Sequence, residues 1–402
     1  MIFRLPLSVR IANRAFGGLE DLGVRALPID ADRYLASAIK ATGCADLGEL
    51  GDGFRVLCRA FEAEANLSLI GRIGVGSEIG NRLRQRLRII RDLSSHPEIH
   101  DEKIVAPVFI VGLPRTGTTM LHKMLATDPK LRAPANWELL EPSPPSTPSD
   151  GADDPRIQRA KRKVRALEYL APSLRAIHSI EATAPDECYH LYSLSFTEIA
   201  FNGMGHIPSY IDWLTTTNWL PPTRFHRDVL KLLQWKRPAK TWVLKAPAHL
   251  SRIAELLAVY PDARFIWTHR PVGTIAASGC SLQEHARTML GRAVDPGQVG
   301  RDWLRLWGWM ASRAVKARSF IPPAQLFDLT MAEIMADPRG AIQRAYRHLG
   351  LDYSPELDGG ITAWVHSNPV DKHGAHKYSL ERYGLTANVV DRTFEEYMSI
   401  RP

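Results

Sequence analysis

No run of about 18 or more uncharged apolar residues occurs in this sequence, so it offers no candidate for a membrane-spanning helix. Residues 1–19 are apolar, but Arg4, Arg10 and Arg14 interrupt them and no small-residue cleavage site follows, which makes a poor secretory signal. The same stretch fits a basic amphipathic surface helix. Cysteine is scarce. Cys44, Cys58, Cys188 and Cys280 are the only four in 402 residues, and their spacing gives neither a disulfide framework nor a metal motif. They read as reduced thiols of a cytoplasmic protein. There is no internal repeat and no nucleic-acid-binding module. The net charge of +8 therefore points to a pocket for a polyanionic small molecule rather than to nucleic acid. An apolar fraction of 45% leaves enough material for a sizeable core.

The most informative stretch is residues 107–119, Pro-Val-Phe-Ile-Val-Gly-Leu-Pro-Arg-Thr-Gly-Thr-Thr. Residues 108–111 are continuously apolar and β-branched, as a strand buried on both faces of a parallel sheet must be. Gly112 and Pro114 break the run, and Gly117 permits the dihedrals of a tight loop. Met120, Leu121, Met124 and Leu125 then recur at helical spacing. Strand, Gly-rich loop and helix in that order direct free backbone N–H groups and a helix N-terminus at one point, which is an anion site.

The general phosphate loop reads Gly, four residues, Gly, Lys, Ser or Thr. Gly112, Gly117 and Thr119 fit it. Thr118 stands where nucleotide triphosphatases need their Lys, which argues against a kinase or ATPase. The stretch instead resembles the 5′-phosphosulfate loop of sulfotransferases that use 3′-phosphoadenylyl sulfate (PAPS). Its arginine form is similar to the tyrosylprotein sulfotransferases and to many bacterial sulfotransferases. The resemblance implies that Pro114, Arg115, Thr116, Gly117, Thr118 and Thr119 bind the phosphosulfate, with Arg115 also serving catalysis.

Further along, residues 241–244 and 263–268 read as buried strands, 325–329 as a fourth strand, and helical patterns separate them. This alternation predicts an α/β fold with a parallel sheet and right-handed crossovers. Residues 31–42, 54–67 and 79–93 carry helical patterns and predict an N-terminal helical subdomain over 1–100. The last of these sets Leu83, Leu87 and Ile90 on one side and Arg82, Arg84, Arg86, Arg88 and Arg91 on the other, which reads as a solvated face. Residues 101–402 would form the sulfotransferase domain: a P-loop-type parallel sheet flanked by helices. About 142–235 would be a helical acceptor-binding region. Its aromatics between Tyr189 and Tyr210 hint at an apolar or aromatic acceptor.

Four further elements take their roles from the resemblance. Arg270 follows the strand at 263–268, where ligands of open α/β sheets bind, and Ser278 lies eight residues later. An Arg and a Ser so placed bind the 3′-phosphate in the resembled family, although Pro271 here replaces the Asp that many relatives carry after the Arg. Lys245 ends the strand at 241–244 and would reach the sulfuryl group or its bridging oxygen. For the general base the order is Glu138 first and His249 second. The C-terminal loop around Lys372, His373 and Gly374 would close on the 3′-phosphate. His373 and His376 lack a third ligand at sensible spacing, so no metal is expected.

The function so implied is in-line transfer of the sulfuryl group of PAPS, as co-substrate, to a hydroxyl or amine of a small-molecule, carbohydrate, lipid or peptide acceptor, releasing adenosine 3′,5′-bisphosphate. The alternatives are a kinase-like phosphoryl transferase on the same fold and a non-catalytic nucleotide-binding protein. The oligomeric state is open.

Overall fold

A computed structural model describes residues 5–22, 27–144, 154–172, 180–237, 240–369 and 378–400. Lys372, His373, Gly374 and His376 lie outside the described residues. Its centre is a five-stranded sheet, entirely parallel, made of β1 (Val108–Gly112), β2 (Leu131–Arg132), β3 (Thr241–Lys245), β4 (Arg264–His269) and β5 (Leu326–Thr330) in the order β2-β3-β1-β4-β5. β1 is central. Val108 pairs with Val243 of β3 on one side and with Arg264 of β4 on the other. All five residues of β1 are buried, which accounts for the unbroken apolar run.

Helices fill both faces. In chain order they are α1 (Leu7–Asp21), α2 (Ala31–Thr42), α3 (Gly53–Glu64), α4 (Leu69–Ser95), α5 (Thr118–Leu125), α6 (Asn136–Leu140), α7 (Pro155–Leu170), α8 (Tyr189–Ser193), α9 (Pro208–Thr216), α10 (Leu220–Gln234), α11 (Ile253–Val259), α12 (Val272–Leu290), α13 (Pro296–Arg318), α14 (Met331–Ala336), α15 (Pro338–His348) and α16 (Pro355–Ser367), followed by two short helices. One core packs Phe109 and Val111 of β1 with Leu57, Leu83 and Leu87 of the N-terminal helices and with Trp303 of α13. A second, smaller core lies on the other face and joins Val108 and Ile110 to Leu121, Ile334, Ile342 and Leu357. The alternation of residues along β1 between these two cores is the period-two geometry of a strand.

Two details depart from the sequence reading. β2 is a two-residue edge strand, too short to leave a periodic signal. The arginine side of α4 is not uniformly solvated, because Arg82 and Arg86 are only 2% and 1% exposed. Arg82 bonds Glu78, the His190 carbonyl and His190 Nδ1. Arg86 donates to the carbonyls of Leu47, Glu49 and Leu194 and to Ser195 Oγ, with its guanidinium over the Phe225 ring. A buried guanidinium is tolerable only when its donors are used in this way.

Candidate active site

The loop between β1 and α5 is shaped by close approach. A Cβ on Gly112 would sit 2.5 Å from Thr268 Oγ1 and 2.7 Å from the Thr268 carbonyl. Only glycine allows β1 to leave the sheet there. Gly117 has φ of +90°, and Arg115 adopts φ of +69°, which a non-glycine residue holds only where the surroundings impose it. Thr116 supplies part of that constraint. Its buried hydroxyl lies 2.7 Å from the Leu113 carbonyl and 2.6 Å from Thr268 Oγ1. Thr116 therefore braces the loop from below. Gly117 caps α5 without a side-chain acceptor, so the first-turn amides carry no side-chain cap and face the loop mouth as an anion site.

Arg115, Arg270 and Ser278 come together across this loop. Arg115 Nε donates to Ser278 Oγ at 3.1 Å, and Arg270 Nη1 donates to the Arg115 carbonyl at 3.0 Å. Burial lowers the Arg115 pKa, and the neighbouring Arg270 charge lowers it further against an opposing contribution from Tyr378. Two guanidiniums held this close in a partly buried setting are suited to a multiply charged anion.

Lys245, at the end of β3, is 1% exposed. Its ammonium donates to Thr119 Oγ1 at 3.1 Å and forms an ion pair with Glu187. Glu187 reaches this point because its segment is stitched across the strand ends. The Cys188 N–H donates to the Lys245 carbonyl at 2.9 Å, the Asp186 N–H to the Pro134 carbonyl, and Ala135 bridges to Pro185.

Beside these residues lies a cavity of about 320 Å³. Pro114, Arg115, Thr118, Thr119 and Glu187 line its polar part, and Ile199, Leu282, Trp303, Leu306 and Trp307 its apolar part. Glu198 also lines it. Burial raises the Glu198 carboxyl to about 7 against the opposing charge of Arg252, 3.6 Å away.

Of the two carboxyl and imidazole groups expected as bases, neither lines this cavity. Glu138 is 5% exposed. Its Oε1 accepts from Arg132 at 2.8 Å and Arg237 at 2.6 Å, and its Oε2 accepts from the Ala135 amide at the start of α6. Both oxygens are thus spent holding α6 to the edge strand. His249 is wholly buried, against Phe109, Tyr192 and His226. Burial, with help from His226 and Arg252, pushes its pKa well below the ordinary histidine value, so it is a neutral imidazole in the core. Its neighbours Pro247 and Ala248 face the cavity instead. His249, His226 and Cys188 form the one group of three metal-ligating types gathered among the described residues, with ligand atoms within 4.8 Å of one another. Sequence spacing gives no hint of that meeting. Glu187 was visible only as part of an aromatic-rich stretch, because 58 residues separate it from Lys245.

Strand, glycine loop, helix and a Lys–Glu pair beside an apolar cavity form one constellation at the carboxyl ends of β1, β3 and β4. Residues 107–355 match the model of the sulfotransferase family. The chain belongs to the sulfotransferase family. Sulfuryl transfer is accordingly its chemistry. Solved sulfotransferases share the fold. STF1 from Mycobacterium tuberculosis superposes with a TM-score of 0.81 at 32% identity, covering 94% of this chain and 100% of that one. STF9 from Mycobacterium avium does so with a TM-score of 0.84 at 25% identity, covering 92% and 96%. Among characterised relatives, the omega-hydroxy-beta-dihydromenaquinone-9 sulfotransferase Stf3 of Mycobacterium bovis is 28% identical over 268 residues, 64% of this chain and 67% of that protein. The same enzyme of Mycobacterium tuberculosis matches equally. Among the described residues, no helix of this sulfotransferase is long and apolar enough to cross a membrane.

Proposed function

We propose that this sulfotransferase uses PAPS as donor and an apolar, lipid-like alcohol or phenol as acceptor. The observation that carries the proposal is Lys245, whose ammonium joins Thr119 of the anion loop to Glu187 at the wall of the apolar cavity. The donor set fits a nucleotide bearing two separate anionic groups. The uncapped α5 amides, Thr118, Thr119, Arg115 and Lys245 suit a 5′-phosphosulfate, while Arg270 and Ser278 suit a 3′-phosphate.

In this reading Glu187, rather than Glu138 or His249, takes the acceptor proton. The acceptor oxygen attacks sulfur as the bond from sulfur to the 5′-phosphate oxygen breaks, and adenosine 3′,5′-bisphosphate leaves. Lys245 and Arg115 offset the negative charge that develops on that leaving oxygen. The same ammonium holds the Glu187 carboxylate until the acceptor arrives. Positioning and electrostatics suffice for such a transfer, as they do for phosphoryl groups. Ile199, Leu282, Leu306 and the faces of Trp303 and Trp307 give the cavity a broad apolar wall, with Tyr189, Asn202 and Gln283 as isolated polar groups, which favours a hydrocarbon body over a sugar. The relative acting on a hydroxylated dihydromenaquinone supports the same class.

Incubation with radiolabelled PAPS and a panel of apolar alcohols, phenols, sugars and peptides tests this. Label is expected on apolar alcohols or phenols. Labelling of sugars or peptides in preference would overturn the acceptor class, and Mg²⁺-dependent turnover of ATP in place of PAPS would overturn the donor.

A further inference from the structure

The outward face of α1 is wrongly coloured for a helix that meets only water. Phe16 is buried against the body and Val9 and Asn13 are half-buried, with Asn13 Oδ1 accepting from the Ile70 amide at 3.1 Å. That fixes the helix on α4. The opposite face carries Leu7 and Ile11, one turn apart and 64% and 59% exposed, and Leu22 beyond the helix end is 81% exposed. A solvated face would put polar groups there. Arg10 and Arg14, also exposed, flank the apolar residues, and neither joins an ion pair among the described residues. They border a groove completed by Arg292, which pairs with Asp21 at 2.9 Å.

We propose that α1 is a docking element for an anionic membrane surface, inserting Leu7 and Ile11 at the acyl boundary while Arg10 and Arg14 meet lipid phosphates. Apolar side chains facing outward beside unpaired arginines are the two signals that interfacial helices combine, and neither alone gives firm attachment. Charge complementarity selects an anionic bilayer over a second copy of a chain that is itself cationic at +8.

The position is useful to the enzyme. The last turns of α12 serve both regions: Leu282, Gln283 and Ala286 line the acceptor cavity, and Thr288 lines the α1 groove two residues later. Attachment through α1 therefore anchors the chain beside the same helix, α12, that lines the cavity wall. The surface stands whether or not PAPS is the donor, because attachment requires no transfer.

Sedimentation of the full chain with vesicles of mixed phosphatidylcholine and phosphatidylglycerol tests it, with pure phosphatidylcholine vesicles as comparison. Binding to the anionic vesicles is expected, weakening with salt. Leu7→Glu with Ile11→Glu, and separately Arg10→Glu with Arg14→Glu, should each weaken it on the order of tenfold or more. All four positions are exposed, so circular dichroism and nucleotide affinity should stay at wild-type values. Ile11→Trp gives a second readout, its added fluorescence being quenched by brominated phosphatidylglycerol. Equal binding of wild type and the Leu7/Ile11 variant would overturn the proposal, as would added indole fluorescence that the brominated lipid leaves unquenched. So would a concentration-dependent dimer that the Leu7/Ile11 variant abolishes, since the face would then belong to a second copy.

Discussion

Lys245 and Glu187 form an ion pair at the carboxyl end of β3, and the lysine's remaining bond to Thr119 ties that pair to the anion loop. One ammonium thus touches the groups assigned to both substrates. Removing the carboxylate should leave donor binding largely intact. Glu187→Gln is expected to lower kcat by roughly 10²–10⁴-fold, the usual worth of a positioned base, with nucleotide affinity nearly unchanged. Steady-state kinetics and calorimetry check both halves. A normally active Glu187→Gln enzyme would remove Glu187 from the role.

Glu138→Gln should behave differently. It withdraws one buried carboxylate from Arg132 and Arg237 and weakens the start of α6. Breaking a buried charge pair costs about 3–5 kcal/mol, discounted here because Arg237 is partly exposed. A lower Tm with kcat of the remaining folded enzyme within a few-fold of wild type is expected. An inactive enzyme of unchanged Tm would restore Glu138 as the base.

Arg270→Ala should separate the two anionic groups of the nucleotide. A charge-assisted contact is worth roughly 1.5–3 kcal/mol, so adenosine 3′,5′-bisphosphate should bind about tenfold or more weakly. Adenosine 5′-phosphosulfate, lacking the 3′-phosphate, should lose much less. Equal losses by calorimetry would place Arg270 elsewhere.

Gly279 lines the same cavity as Trp303. A Cβ there would lie 2.4 Å from Trp303 Nε1. Gly279→Ala must therefore push the indole, at an overpacking cost of about 1–3 kcal/mol. The KM for an apolar acceptor should change several-fold while nucleotide affinity holds. If both affinities move together, Trp303 does not report on the acceptor alone.

Acid should unfold the protein through its buried histidines. Burial pushes His122 and His226 down to about 3, and His249 falls well below its ordinary 6.5 as well. The unfolded chain takes up protons below about 6.5 that the folded chain refuses, so stability falls as pH falls from about 6.5 toward 3. Each such histidine adds up to about 1.4 kcal/mol per pH unit. Denaturant titrations between pH 7 and 5 (the upper part of that interval) should show the slope, and His226→Gln should reduce it. A flat profile would mean these rings are protonated in the fold.

How much of this was legible in the sequence depends on distance along the chain. The strand–loop–helix at 107–125 is local, and Thr118 in place of a lysine set it apart from triphosphatases without any coordinates. Four of the five strands read clearly: β1, β3 and β4 because both faces are buried, and β5, a half-buried edge strand, from its short apolar run. β2 did not, having two residues. Arg270 and Ser278 pair only through the family resemblance, because a separation of eight residues says nothing by itself. Glu187 could not be paired, because its partner lies beyond α10, and nothing in Asp-Glu-Cys-Tyr-His says which acid faces the lysine. Glu138 stood at a plausible offset, yet only the fold reveals the two arginines that occupy it. Arg82 and Arg86 likewise carry no mark of burial, as each has a carbonyl partner 108 residues away.

Those two arginines also constrain the order in which the chain can mature. α4 is made early, yet the carbonyls of His190 and Leu194 that it must satisfy come only with the segment behind the acceptor site. Until then Arg82 has Glu78 and Arg86 has the Leu47 and Glu49 carbonyls, but the rest of their donors have no buried partner and the apolar side of α4 has no finished wall. The N-terminal helices cannot lock ahead of synthesis. They close late, over a sheet whose strands are themselves separated by long crossovers, and such non-local pairing makes for slow refolding. The N-terminal helices and the segment at 190–194 thus depend on each other for their buried polar contacts.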